Sequence, residues 1–132
     1  MKTDRLFLSL SILGIAIGIF FGAFGAHAFK DLFLNYEMDI WNKGIFYQIS
    51  NSLGIMLLII LRKNELIKKN NLPFYLLIIG MVFFCVSLYI ISLTNVFLNP
   101  QHWLKTAMIP ITPIGGSMII LGWILIFFNI KK

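Results

Sequence analysis

The sequence predicts an all-α membrane protein, with four transmembrane helices and both termini in the cytoplasm. Three observations predict it. Hydrophobic residues make up 59% of the 132 positions and charged residues 12%, against about 45–50% and about 25% in a soluble domain. Four long apolar runs, 6–26, 44–61, 72–93 and 107–128, contain no Asp, Glu, Lys or Arg. The basic residues collect in alternate segments between those runs. A water-soluble fold of this size could not hide so much apolar surface, because a small domain keeps a large surface relative to its volume.

The chain reads as one domain, residues 1–132, with helices near 6–26, 41–61, 72–94 and 106–128. Each run approaches the roughly 20 residues a spanning helix needs. Backbone groups in lipid must pair within their own segment, so helix is the expected state. A closed barrel would need shorter segments alternating at period two, and these runs do not alternate. Pro73 suits the first turn of the third helix, where a missing N–H is harmless. Thr112 and Pro113 resemble an N-cap and first-turn pair, which would start the fourth helix at 113 and leave it short. The apolar residues 107–111 favour a kinked helix from about 106.

Orientation follows from charge. Lys2, Arg5, Arg62, Lys63, Lys68, Lys69, Lys131 and Lys132 fall on one side of a four-helix path. Lys30, Lys43 and Lys105 fall on the other. Eight against three places both termini inside and makes the chain a multi-pass protein of the inner, or plasma, membrane. Residues 27–43 then lie outside. Their mixture of Asp31, Glu37 and Asp39 with Phe29, Leu32, Phe33, Tyr36 and Trp41 suggests a partly helical segment in the interface. Trp41, Tyr47, Trp103 and Lys105 are expected at head-group level.

The formal charge of +6 does not indicate nucleic acid, because the cations sit between apolar runs and form no aromatic-interleaved face. The expected partner is the lipid bilayer. The single cysteine, Cys85, excludes an intrachain disulfide and a zinc spacing.

The stretch "GAFGAHAFK" at 22–30 raises the alternative of a cleaved export signal, because Ala26-His27-Ala28 fits a small-x-small site behind a basic start. The apolar run exceeds the usual 7–15 residues of a signal core. Gly14, Gly18 and Gly22 also recur at four-residue intervals, on one helical face. Such a face lets another helix approach closely in lipid, which favours a retained helix. Helix 4, with Gly115, Gly116 and Gly122, is the expected partner.

"GAFGAHAFK" at 22–30, "FYQISNSL" at 46–53, "SLYIISLT" at 87–94 and "ITPIGGSMIILGW" at 111–123 together resemble the motifs of the YgdD/YwdK-type family. These are small bacterial inner-membrane proteins, classed as a domain of unknown function. The resemblance spans nearly the whole chain and implies four transmembrane helices and an uncharacterised function. The family usually has a histidine at the position of Asn51. An amide neither transfers protons nor binds metals well, so the departure argues against such a role here.

The motifs place polar residues in what the topology makes the outer half of the bilayer. Tyr47, Gln48 and Asn51 on helix 2 are expected to meet His27, Ser87, Tyr89 and Thr112 at one depth. Hydrogen bonds between helices account for such a cluster. A binding site or conduction path with His27 at its mouth is the sharper alternative. No catalytic constellation, metal-ligand set or cofactor motif appears. A proton-coupled small exporter wants an intramembrane carboxylate, and the four runs have none. The expectation is a non-enzymatic membrane protein that packs with itself or another membrane protein. The alternative is a small transporter or channel component acting as an oligomer.

Overall fold

The computed structural model describes residues 2–99 and 101–131. Four helices account for nearly all of them: α1 (Lys2–His27), α2 (Asn35–Lys63), α3 (Leu72–Phe97) and α4 (Trp103–Phe128). Each is long and apolar enough to cross a membrane. At 1.5 Å per residue the 26-residue helices measure about 39 Å. The 29-residue α2 measures about 44 Å. Both lengths match a bilayer with its head-group layers, about 40–45 Å.

The helices run up and down. At the terminal end, Phe7 of α1 stacks on Phe74 of α3, with ring centres 5.1 Å apart. The α2–α3 connection and the chain's end pair there through an isolated bridge, Ile67 to Ile130, flanked by Lys68 N–H to Asn129 C=O and Lys131 N–H to Leu66 C=O. At the distal end, Phe29 and Phe33 stack at 4.7 Å and both lie edge-on to Trp41. The packing is serial: α1 on α2, α2 on α3, α3 on α4. α1 only just approaches α3 and does not approach α4.

Two helix starts that bear on the site differ from expectation. α2 begins at Asn35, six residues early, so 35–40 belong to a spanning helix and only 28–34 form the connection. That start carries no helix breaker, and Lys43 pairs with Asp39 one turn back at 2.6 Å, a spacing that supports helix. Trp41 is consequently not at the surface: it is 2% exposed and its Nε1–H donates to the Phe21 carbonyl at 2.9 Å. α4 starts at Trp103, with His102 as N-cap accepting from Leu104 N–H. Pro110 and Pro113 both lie inside it. Thr112 is therefore no cap, and its hydroxyl bonds the Met108 carbonyl instead.

Glycines set the close approaches, though not between the expected helices. A Cβ built on Gly14 would lie 2.5 Å from Ser52 Oγ, and one on Gly18 2.7 Å from Ile49 Cγ1. The α1 glycine face thus meets α2, not α4. Gly22 has nothing within 4 Å, because its place in the row has turned away from α2. Gly25, outside the four-residue row, takes over by accommodating the Trp41 ring. The tightest crossing is α3 on α4. A Cβ on Gly115 would be 2.5 Å from the Phe84 backbone nitrogen, and one on Gly80 2.9 Å from the Gly115 carbonyl oxygen. Gly122 faces Leu77, while Gly116 has only ordinary contact with the Phe84 ring.

Candidate functional site

Polar groups inside the bundle form separate pairs rather than one cluster. Gln48 and Asn51, three residues apart, stand about 60° apart around α2 and about a turn apart along it, enough for them to address different neighbours. Gln48 looks toward α1 and α3. Its Nε2 donates to the Gly14 carbonyl at 2.7 Å, and its Oε1 accepts from the Tyr89 hydroxyl at 2.9 Å. Gly14 lies midway along α1, so this bridge sits near the middle of the bundle. The small residue exposes a backbone carbonyl that a larger side chain would shield, and a buried amide thereby obtains partners for both ends.

Asn51 looks toward α4. Its Oδ1 accepts from Trp123 Nε1–H at 3.0 Å, and its Nδ2 donates one turn back to the Tyr47 carbonyl at 2.8 Å. Trp123 lies five residues from the terminal end of α4, so this bond falls in the terminal half. The early start of α2 carries Asn51 past that helix's midpoint, which corrects the common outer depth expected from sequence. The Trp123 ring passes over α2 at Gly54, where a Cβ would be 2.7 Å from it.

Ser87 and Thr112 pair between α3 and α4 at 2.7 Å. Tyr47 sets its ring edge-on to Phe84, at 5.0 Å. His27 is exposed at the last turn of α1, away from these pairs. The structure brings Gln48 to Tyr89 and Ser87 to Thr112. It brings neither His27 nor Asn51 to them. Among the described residues no group of three or more His, Cys, Asp or Glu could hold a metal ion.

Two polar sites lay outside the expected set. At the distal end Glu37, 8% exposed, accepts from Asn95 Nδ2 through Oε1 at 3.2 Å, while the Ser92 hydroxyl donates to the Glu37 carbonyl. This clamp ties the first turn of α2 to the last turns of α3. At the terminal end Arg62, 5% exposed, forms an ion pair with Asp4 and donates from Nη1 to Asn71 Oδ1 at 2.8 Å. Its guanidinium lies 4.1 Å from the Phe74 ring centre, a cation–π distance. Arg62 stands at the end of an apolar run, where a cation reads first as an orientation signal, and Glu37 stands in the 27–43 segment that reads as a connection.

Two cavities adjoin these groups. One, about 340 Å³, opens between α1 and α3 and is lined by apolar side chains, with Gln48 and Tyr89 at its wall. The other, about 400 Å³, surrounds Arg62, Lys63 and Lys69 at the terminal end.

The family described as "Protein of unknown function (DUF423)" matches residues 21–116, the stretch that holds every polar pair between α2, α3 and the start of α4. The chain belongs to this family. A UPF0382 membrane protein of Staphylococcus epidermidis is 34% identical over 128 residues, 97% of each chain. One of Staphylococcus haemolyticus is 32% identical over the same length and share. The UPF0382 membrane protein YwdK of Bacillus subtilis is 28% identical over 123 residues, 92% of this chain and 93% of its own. No solved structure matches. The DUF423 chain is thus a membrane protein with four helices fit to span the bilayer, as its motifs imply.

Proposed function

We propose that this chain is a non-enzymatic, multi-pass protein of the inner (plasma) membrane that acts as a packing partner in an assembly. The partner is a second copy or another membrane protein. The observation that carries the reading is where the hydrogen bonds go. Gln48, Tyr89, Asn51, Trp123, Ser87 and Thr112 bond to one another across helix pairs, which fixes the bundle and leaves no continuous polar route along it. Glu37 is a buried carboxyl, but it belongs to the first turn of α2 and is no coupling group at mid-depth. α1 and α4 each give one face to the bundle and turn the rest outward. The excess of basic residues at the terminal end orients that end toward the cytoplasm.

Affinity purification in mild detergent, with light scattering on the eluted species, tests this. A dimer or higher oligomer, or a co-purifying membrane protein in fixed ratio, is the expected result. A 15.2 kDa monomer without a companion, both in detergent and in lipid nanodiscs, contradicts it.

A further inference from the structure

We infer that the terminal-end cavity binds a phosphate group, and that the phosphodiester of an anionic phospholipid head group fits it. The inference is independent of the assembly reading. The cavity, about 400 Å³, is lined by Arg62, Lys63 and Lys69 on the cationic side and by Asp4, Glu65 and Asn71 among others. Arg62 is built in rather than splayed into solvent. Asn71 holds Nη1, Asp4 pairs with the Nη2 edge, and the Phe74 ring supports the guanidinium plane. Its Nε–H has no hydrogen-bond partner among the described residues and almost no accessible surface. Arg62 therefore acts on the cavity through its charge, and the exposed Lys63 and Lys69 supply the donors that reach a phosphate oxygen.

Charge and depth agree with a lipid source. Among the described residues the lining carries three cations, Arg62, Lys63 and Lys69, against two carboxylates, a net cationic balance that suits a phosphodiester. The cavity lies where α1 starts, α2 ends and α3 starts. Helices of this length place those ends at head-group level, where basic pockets between transmembrane helices bind anionic lipid head groups. A smaller cavity, about 140 Å³, shares Asp4 and Lys63 with the first and adds Arg5, Leu8 and Ile59 between α1 and α2. Leu8 and Ile59 give it an apolar side toward the bilayer, and Arg5 a further cation at the head-group end.

The test uses the full chain in maltoside detergent. Short-chain phosphatidylglycerol, short-chain phosphatidylcholine, and sodium phosphate against sodium chloride at equal ionic strength are titrated, with thermal stability as readout. Phosphatidylglycerol is expected to raise the melting temperature saturably and phosphatidylcholine not. The double variant Lys63→Ala/Lys69→Ala changes two exposed side chains and is expected to fold as the parent does. Its phosphatidylglycerol affinity should fall about tenfold through loss of charge-assisted contacts. If Arg62→Lys folds, it should weaken binding as well, because an ammonium cannot hold Asn71 and Asp4 with the same fork and so does not fix the cavity wall. A saturable response to sodium phosphate that matches phosphatidylglycerol and is lost in the double variant assigns the site to free phosphate, the same chemistry from another source. Equal stabilisation by both lipids, or unchanged phosphatidylglycerol affinity in the double variant, overturns the inference.

Discussion

Glycine 22 and glycine 115 show what a residue's type does and does not reveal. Both stand in motifs and in membrane helices, where glycine costs about 1 kcal/mol relative to alanine. Only Gly115 recovers that cost by admitting a neighbouring backbone. Gly115→Ala is expected to destabilise by about 1–3 kcal/mol, since the new Cβ would press on the Phe84 nitrogen and force α3 and α4 apart. Gly22→Ala is expected to be neutral or to stabilise by up to about 1 kcal/mol, because it gains helix propensity and meets nothing. Thermal unfolding in detergent separates them. Equal melting temperatures would show that the α3–α4 crossing is not as close as Gly80 and Gly115 make it. Four-residue spacing made the α1 face legible in the sequence. Its partner was not, because spacing says which residues share a face and nothing of which helix covers it. Gln48 and Asn51 were legible as buried polar residues for the same reason, while the partners that separate them, the Gly14 carbonyl and Trp123, come from helices distant in sequence.

At the scale of elements, α2 shows how far apolar runs can be trusted. They located every helix, since charge-free stretches of this length in lipid have no other hydrogen-bonded state. They could not locate where α2 leaves lipid, because Asn35–Lys43 is polar enough to read as a connection and yet is helical. The other end of α2 carries a local conflict. Leu66 N–H bonds the Leu61 carbonyl and Glu65 N–H the Arg62 carbonyl, the double closure of a Schellman turn. The residue that must adopt positive φ there is Glu65, at 59°, where glycine is the usual choice. Glu65→Gly is expected to stabilise by about 0.5–1 kcal/mol, the left-handed strain of about 1–2 kcal/mol being partly offset by glycine's freedom in the unfolded chain. Glu65→Val, β-branched at positive φ, should be worse than the parent. Denaturant titrations of the three proteins decide it; a Glu65→Gly variant less stable than Glu65→Val would mean this turn is not left-handed.

For the whole molecule, serial packing gives α2 and α3 the centre and leaves α1 and α4 as flanks that do not approach each other. Hydrogen bonds come at separate places: between α1, α2 and α3 at Gln48, between α3 and α4 at Ser87, and, through the reach of the Trp123 side chain, between α2 and α4 at Asn51. The arrangement also gathers basic residues, Arg62 and the cavity of about 400 Å³ at one end of the bundle. All of this depends on four crossings in alternating directions, with the basic end inside. Cysteine labelling on intact cells measures that directly. In a Cys85→Ala background, Asp31→Cys in the α1–α2 connection and Lys131→Cys beyond α4 are both exposed positions. A membrane-impermeant maleimide should modify the first in intact cells and the second only after permeabilisation. Modification of both from the outside would contradict the four-span fold, and modification of Lys131→Cys alone would reverse the orientation.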